Sequence, residues 1–516
     1  MRPLRLIITI FFINSILSIS GTGCVVDTTS DDNYIYIPVE TVTDKIRGGM
    51  LGQILGNLNG LPHENEYFYE PGNVTDYVPA LPDGGWTDDD TDIEWIYIYE
   101  MQNRRKAMLS PEEITSFWKE KINRRIWCSN GYARYLMDIG IKPPYTGYTP
   151  LNPWAVFNIS GMFVAETFAL TAPAMPQTAA KIGLNYTTVT ISAEPAQATQ
   201  LFTTMISTAV VEDDIHKILD AGIAALDPES VILQIIDDVK SWHKQFPDDW
   251  RETRRLIKET YTLEGDTRRT RNWNGVEINT ATTIAALLYG EGDFAKTLEL
   301  CFNMGWDADN TAAMAGTILG VTYGYRKMVH NWTIIDRYKN TTRDNMPMDE
   351  TITSFSDRVI ELFEMVNQEN GGDKIVKDNT MVYKIPSEVP APIVLVTSPK
   401  DQKNQLVEKF EQEIITNLQH GNREERARAA YMAVAIDLYD KISSEYPDQW
   451  RKAAYDLSGY WKIMDSIFFG LFSDFNEMHQ HKNKFIDAGF KTPAKDYRGF
   501  ELFNDPEVWK NPEELY

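Results

Sequence analysis

Apolar residues along most of the chain recur three and four positions apart, which is the spacing of one face of a helix. The stretches EDDIHKILDAGIAAL (212–226) and SVILQIIDDVKSWHKQF (230–246) show this spacing. Ser110 followed by Glu113 has the form of a capping box, which marks a helix start. Strict alternation of apolar and polar residues, the pattern of half-buried strands, is scarce. The pattern therefore predicts an all-α fold.

Two stretches place small residues four positions apart, and residues at that interval share one helix face. Glycine inside a helix costs about 1 kcal/mol relative to alanine, so its repetition on one face needs a physical reason. We expect close approach by another backbone or by a ligand, and tight packing between core helices explains the stripes equally well. The two stripes consist of Gly48, Gly52, Gly56 and Gly60, and of Ala312, Gly316 and Gly320.

Proline and helical periodicity predict the division of the chain into domains. Four prolines fall within residues 385–400, which is typical of a linker or an edge strand. Beyond them, QLVEKFEQEIITNL and EERARAAYMAVAIDLYDKI are amphipathic. We predict a main helical domain over residues 43–384, a proline-rich linker over 385–400 and a helical C-terminal region over 401–516.

The N-terminal segment has the pattern of an export signal. Arg2 and Arg5 precede an apolar run, and small residues follow it up to Cys24. Cleavage before Cys24 would leave an N-terminal cysteine, as in bacterial lipoprotein signals, although Gly21 stands where a leucine-type residue is usual. We expect a signal peptide over residues 1–23, a tether over 24–42 and a protein held in the bacterial envelope, periplasmic or at the cell surface, by a lipid anchor.

The composition limits the kinds of molecule that the protein is expected to bind. The formal net charge is −24, which argues against nucleic acid, because phosphate binding needs fields of Lys and Arg. We expect contact with a membrane only through the N-terminal lipid anchor. The chain has three cysteines, too few for a disulfide framework, and we expect Cys128 and Cys301 to be buried thiols.

Two short acidic loops carry the candidate chemistry. The first is TDDDTD over residues 87–92, and the second is DADNT over residues 307–311. Each loop alone could simply cap a helix, because acidic residues favour helix N-termini. Neither fits a calcium EF-hand loop, since Gly and Glu are missing from its sixth and twelfth positions.

Taken together, the loops predict a metal site. All their side-chain ligand atoms are oxygen, which suits Mg²⁺, Mn²⁺ or Ca²⁺ rather than zinc or copper. If the loops face each other, about five carboxylates could hold two divalent cations that polarise a substrate oxygen and prepare a water nucleophile.

The chain resembles the ADP-ribosylglycohydrolases, which include the dinitrogenase-reductase-activating glycohydrolases and the ADP-ribosyl-acceptor hydrolases. Three stretches carry the resemblance: DKIRGGMLGQILGNLNGLPHE (44–64), WTDDDTDIE (86–94) and ALLYGEGDFAKTLELCFNMGWDADNTAAMAGTILG (286–320). It spans roughly residues 43–340 and is weaker in the middle. It implies an all-α domain around a binuclear Mg²⁺ or Mn²⁺ centre that hydrolyses bonds at the anomeric carbon of ADP-ribose.

The resemblance also implies the site residues. From the first loop it implies three ligands, Asp88, Asp89 and Asp90, although the motif can also be laid from Thr87. From the second loop it implies Asp307, Asp309 and a third ligand, for which Asn310 stands in place of the usual Thr or Ser and Thr311 is the alternative. Glu64 matches a glutamate beside the metals and the substrate.

Three further positions depart from the family. A middle segment that usually supplies an Asp and a His to the substrate side has Tyr186 and Ile191 at those places, and an early Asp is Asn57. The metal centre is therefore expected to be kept while the substrate wall is changed.

These observations support one leading hypothesis and two alternatives. The leading one is a metal-dependent hydrolase that cleaves an ADP-ribosyl or related ribosyl unit from a small molecule or a protein. Asp89 or Asp90 would help to deprotonate the water, and Glu64 would act beside them. The alternatives are an exported glycosidase for another sugar and a catalytically silent, metal-containing binding lipoprotein.

Overall fold

The computed structural model describes residues 33–263, 271–470 and 472–490. The predicted signal peptide and residues 24–32 of the predicted tether lie outside these residues. The first seventeen helices are α1 Val39–Gly60, α2 Asp89–Arg104, α3 Pro111–Lys121, α4 Cys128–Asp138, α5 Ser160–Phe163, α6 Glu166–Leu170, α7 Pro176–Thr187, α8 Glu194–Thr208, α9 Ile215–Ala224, α10 Val231–Gln245, α11 Trp250–Tyr261, α12 Arg271–Asn274, α13 Val276–Gly290, α14 Phe294–Met304, α15 Ala308–Tyr323, α16 Tyr325–Asn331 and α17 Ile352–Glu369.

The helices of the C-terminal region follow a proline-rich crossing segment. They are α18 Pro399–His420, α19 Arg423–Ala435, α20 Tyr439–Glu445, α21 Pro447–Ser458, α22 Trp461–Phe468 and α23 Asn476–Asp487. The strands are short and form two three-stranded sheets within the described residues, ordered β1-β6-β5 and β2-β3-β4. They are β1 Tyr34–Pro38, β2 Gly85–Trp86, β3 Tyr338–Lys339, β4 Asp349–Glu350, β5 Asp373–Lys377 and β6 Thr380–Pro386. The prediction of an all-α fold is confirmed, with the sheets as small accessories.

The predicted tether ends earlier than residue 42. Residues Tyr34–Pro38 form β1, which pairs antiparallel with β6, and α1 begins at Val39. The alternating residues of YIYIP are typical of a strand, but a five-residue strand needs a partner, and that partner lies some 350 positions away along the chain. No local feature of the sequence predicts that β1 pairs with β6.

The predicted linker is narrower than residues 385–400 and is attached to the main domain. Strand β6 runs to Pro386 and α18 begins at Pro399. Between them, the backbone N–H groups of Ile393 and Val394 donate to the Gln200 side-chain oxygen at 2.7 and 2.9 Å. The Val396 N–H donates to Asp227 at 2.7 Å. These bonds hold the crossing segment against the main domain.

The C-terminal region shares a core with the main domain. Tyr132, Trp154 and Phe157 belong to the same buried cluster as the apolar residues of α19 to α23. The Tyr132 and Tyr431 hydroxyls lie 3.0 Å apart. This joint core places the C-terminal region beside α4, which borders the candidate site described below.

The two stripes of small residues pack against each other as helices α1 and α15. A methyl group added to Gly56 would overlap the backbone carbonyl of Ala312, and one added to Gly52 would overlap that of Gly316. The close packing between core helices is thus observed. It brings the C-terminal end of α1 against the first turn of α15, where Asp309 lies beside Gly60.

Replacing Gly56 with Ala is expected to destabilise the protein by about 2 kcal/mol, because the overlap with rigid backbone outweighs the better helix propensity of alanine. Urea unfolding would measure the change. Gly131→Ala in α4 is the matched control, since its added methyl would lie no closer than 3.2 Å to any atom. Equal losses in the two variants would contradict the packing role of the stripe.

Within the described residues, no helix combines the length and the apolar character needed to cross a bilayer.

Candidate metal centre

Strand β2 and the first turn of α2 fix the first acidic loop. The Thr87 hydroxyl oxygen accepts from the Thr341 N–H at 2.7 Å and lies 2.8 Å from the Thr342 hydroxyl oxygen. Asp88 is extended, with φ −133° and ψ 163°, and caps α2. Thr87 therefore faces the 341–342 segment, and Asp88 is the first residue of the loop to line the cavity. This placement favours the register that begins at Asp88.

Asn57 of α1 bridges two carboxylates of this loop. Its amide nitrogen donates to Asp88 at 3.1 Å and to Asp90 at 3.0 Å. An aspartate at position 57 would add another negative charge here, whereas the amide supplies neutral hydrogens to both neighbours. Asn57, which stands where the family has an aspartate, thus holds two candidate ligands in place.

The second acidic loop begins α15. Asp307 caps the helix, and Asp309 and Asn310 lie in its first turn. The Asn310 amide nitrogen donates to Asp90 at 3.3 Å, which links the two loops directly. The Thr311 hydroxyl donates to the Ala308 carbonyl at 3.2 Å within the helix. Asn310 rather than Thr311 therefore faces the other loop.

The loops and Glu64 assemble two groups of carboxylates. Oxygen atoms of Asp88, Asp90 and Asp309 lie within 4.8 Å of one another, and so do those of Glu64, Asp307 and Asp309. Asp309 belongs to both groups. Two acidic triads that share one carboxylate are a suitable arrangement for two neighbouring cations. Asp89 lines the cavity but belongs to neither triad.

Burial and mutual repulsion raise the pKa values of the clustered carboxylates. Bound positive charge would therefore stabilise their ionised forms. Desolvation, followed by the charge of Asp309, raises the pKa of Asp90 well above its usual range. Desolvation and then Asp307 do the same to the pKa of Asp309. Desolvation followed by Glu64 raises the pKa of Asp307, and desolvation followed by Asp88 raises the pKa of Glu64. Divalent cations would compensate these charges.

Two buried oxygens indicate where a cation fits. The Asp309 Oδ1 and Asn310 Oδ1 atoms are buried and have no hydrogen-bond partner among the described residues. A buried acceptor without a partner costs about 1–3 kcal/mol, which a bound cation would recover. The donors are carboxylate and amide oxygens, as Mg²⁺ and Mn²⁺ require. The residues therefore fit a centre of hard divalent cations.

Asp92, the last acidic residue of the first loop, points away from this cluster. Its carboxylate pairs with the Arg343 guanidinium at 2.6 Å, and both side chains are fully buried. The Thr342 hydroxyl donates to it as well. Desolvation raises the pKa of Asp92 to about 6, against the opposing effect of Arg343. The ion pair of Asp92 with Arg343 thus holds α2 in place, while Asp88 and Asp90 line the cavity.

The metal-free protein is expected to lose stability as pH rises above about 4. Desolvation, with Asp88 and Asp307 as the next causes, raises the folded-state pKa of Asp89 and Asp309. A raised carboxylate pKa stabilises the fold at pH values below the unfolded-state pKa, about 4, and that stability disappears as pH rises through the folded-state pKa.

Bound Mn²⁺ should remove most of this pH dependence of stability, because the cations compensate the charge of the ionised carboxylates. The measurement is the free energy of unfolding at several pH values, with dialysed metal-free protein and with added Mn²⁺. Groups outside the cluster, such as Glu94, whose pKa burial raises to about 8, contribute equally to both series. If the free energy of unfolding changes with pH in the same way with and without Mn²⁺, the expectation is contradicted.

The carboxylates form one side of a cavity of about 420 Å³. Asparagine and aromatic side chains form the rest of its wall. The Asn274 amide donates to Asp307 at 3.5 Å, and the Asn158 amide donates to Asn274. Sequence reasoning missed these wall residues because they come from separate segments without a shared motif. They include Trp127, Asn130, Asn158, Ser160, Phe163, Trp273, Asn274 and Phe472.

The usual wall positions of the family lie away from this cavity, and one expectation about the thiols needs correction. Tyr186 and Ile191 are both buried in the interior and do not line the cavity; the Tyr186 hydroxyl donates to the Ala107 carbonyl at 2.6 Å. The substrate side is instead built from the segments around residues 127, 158 and 273. Cys301 is buried as predicted, but Cys128 is only partly buried and lines the cavity.

One family model matches most of this chain. The ADP-ribosylglycohydrolase family model matches residues 38–369. A solved structure described as an ADP-ribosylglycohydrolase-related protein complex is 15% identical, covers 63% of this chain and 99% of its own, and has a TM-score of 0.38. No curated protein matches the chain significantly. Since the family model covers well over half of the 516 residues, the chain belongs to the ADP-ribosylglycohydrolase family.

Proposed function

We propose that this protein is a divalent-metal-dependent hydrolase that cleaves the glycosidic bond at the anomeric carbon of an ADP-ribosyl or related ribosyl unit. Family membership supports glycosidic-bond hydrolysis. The observation that carries the proposal is the convergence of two distant acidic loops on Asp309, which belongs to both carboxylate triads. A purely structural pair of capped helices would not need six carboxylates facing one cavity.

Each group of the cavity has a role in this proposal. Asp88, Asp90, Asp307, Asp309, Asn310 and Glu64 would hold two cations, Mg²⁺ or Mn²⁺. When bound, these ions supply Lewis acidity toward oxygens of the substrate and the attacking water.

Asp89 is the proposed general base. Asp90 accepts hydrogen bonds from Asn57 and Asn310, so its oxygens are already engaged. Asp89 lies outside both triads and lines the cavity, so one of its carboxylate oxygens can take the proton from the water. Asn158 and Asn274 lie on the wall beside Asp307, where their amides can position hydroxyls of the sugar.

A glycosidase for a different sugar is the second candidate. It is favoured by the wall of the cavity, because Phe472 comes from beyond the residues that the family model matches. The family positions at Tyr186 and Ile191 are also buried away from the cavity. A sugar of the cell surroundings would fit the export predicted from the N-terminus.

Metal analysis combined with release assays tests the proposal. The full chain would be dialysed free of metal, reloaded with Mg²⁺ or Mn²⁺, and incubated with ADP-ribosyl peptides and with a panel of glycosides. We expect two cations per chain and turnover only of the loaded protein. Cleavage of glycosides but not of ADP-ribosyl peptides would select the second candidate. Bound metal without turnover of any substrate would instead support a silent binding protein.

A further inference from the structure

A second cavity adjoins the cavity of the metal centre. It has a volume of about 150 Å³ and lies between α4 and α22. Trp127, Cys128 and Phe472 line both cavities. A molecule whose reacting carbon lies near the carboxylates can therefore extend past these three residues into the second cavity.

The C-terminal region supplies the polar side of this second cavity. Asp465 and Ser466 of α22 line it, and both lie beyond the residues that the family model matches. The Asp465 carboxylate makes no hydrogen bond or ion pair with any described residue, although it is only half-exposed. Burial raises the pKa of Asp465 to about 6, so the group is mostly ionised at neutral pH. A half-buried carboxylate without a protein partner can accept hydrogen bonds from a ligand.

Aromatic side chains form the other side. Trp127 is 49% exposed, and Tyr132, Tyr135 and Trp154 line the same space. Rigid aromatic faces beside a few hydrogen-bonding groups are typical of small-molecule sites. A sugar ring suits this combination, since its C–H face can stack on an indole while its hydroxyls donate to a carboxylate.

Charges of both signs border the second cavity, the Asp465 carboxylate and the Lys462 ammonium, which suits a ligand without net charge. The Lys462 ammonium lies 5.7 Å from the centroid of the Tyr135 ring and 5.7 Å from that of Trp461. A positive charge is thus already present beside the aromatic face. The Ser466 hydroxyl donates to the Lys462 carbonyl at 3.0 Å, which leaves its oxygen free to accept from a hydroxyl.

We propose that this second cavity binds the leaving group of the substrate as a neutral sugar ring, stacked on Trp127 and hydrogen-bonded to Asp465 and Ser466. The inference rests on the proposed glycosidic-bond hydrolysis and names its substrate class: a glycoside whose leaving group is itself a sugar. The C-terminal region then determines specificity while the family domain carries the metal centre.

The test compares matched substrates. The full, Mn²⁺-loaded chain would be assayed on pairs that share one glycone, a p-nitrophenyl glycoside and the corresponding disaccharide. Asp465→Asn is expected to lower kcat/KM for the disaccharide at least tenfold, mainly through KM, and to change that for the p-nitrophenyl glycoside less than threefold. Ser466→Ala should show the same selective loss. Asp474→Asn, at an exposed carboxylate of the same region, is the control and should change neither.

The outcomes separate this inference from the proposed function. Equal effects of Asp465→Asn on both substrates, with unchanged metal content, would overturn the sugar subsite and leave the hydrolase intact. Selective turnover of substrates with a cationic leaving group would overturn it too. Absence of turnover by the loaded wild-type protein on every substrate would instead overturn the proposed function, and it would be seen before any variant is tested.

Discussion

Replacing Asp309 with Ala is expected to lower kcat by about 10³-fold or more, equivalent to ~4 kcal/mol of activation free energy. Asp309 contributes an oxygen to both carboxylate triads, so its removal weakens both cation sites at once. A metal centre stabilises charge in the transition state by several kcal/mol, and that stabilisation depends on the full ligand set. The measurements are steady-state kinetics and the metal content of protein that has been reloaded with Mn²⁺ and then separated from unbound metal, which we expect to fall from two ions to fewer than one.

Two further variants make this expectation specific to the shared carboxylate. Glu64→Gln alters only the triad with Asp307, and Asp88→Asn alters only the triad with Asp90. Each should retain about one cation per chain, whereas Asp309→Ala should not. Full metal content in Asp309→Ala, with a folded protein by circular dichroism, would contradict the shared-ligand geometry.

The sequence predicts the helical fold well, because helix periodicity is a local signal. It also predicts that something approaches the glycine stripes closely, but the structure is needed to show that the stripe with Gly52 packs against the stripe with Gly316. It does not predict the pairing of β1 with β6 or the attachment of the 387–398 segment through Gln200. Those contacts join positions far apart in the chain, and short strands carry little pattern of their own.

The candidate site, too, has features that the sequence predicts and features that it does not. The two acidic loops are visible as motifs, and the structure brings Asp90 and Asp309 together as expected. The choice between Thr87 and Asp88 depends on which way one side chain turns, and that is decided by Thr341, more than 250 positions away. Tyr186 and Ile191, which stand where the family usually has its Asp and His, are both buried, so the sequence does not show which residues form the wall instead. Phe472 reaches the wall only because the C-terminal region shares a core with α4.

Replacing Arg343 with Met is expected to destabilise the protein by about 3–5 kcal/mol, because it leaves the buried Asp92 carboxylate without its counter-ion. The loss should be larger at pH 8 than at pH 5. Desolvation already raises the pKa of Asp92 to about 6, and removal of the opposing guanidinium raises it further, so the carboxyl is protonated and tolerated at the lower pH. Urea unfolding of the metal-free variant at both pH values measures the effect.

A double variant separates the ion pair from the other contacts of Arg343. Asp92→Asn in the Arg343→Met background removes the buried charge and should restore more than half of the lost stability, with little pH dependence left. The remaining deficit reflects the hydrogen bonds from Arg343 to the carbonyls of Arg124 and Arg125, at 2.8 and 3.3 Å. Arg337→Met breaks an exposed pair with Asp349 that solvent screens, and it should leave the free energy of unfolding almost unchanged. If the double variant is no more stable than Arg343→Met, the charge of Asp92 is not what the guanidinium compensates, and the anchoring of α2 rests on those carbonyl contacts alone.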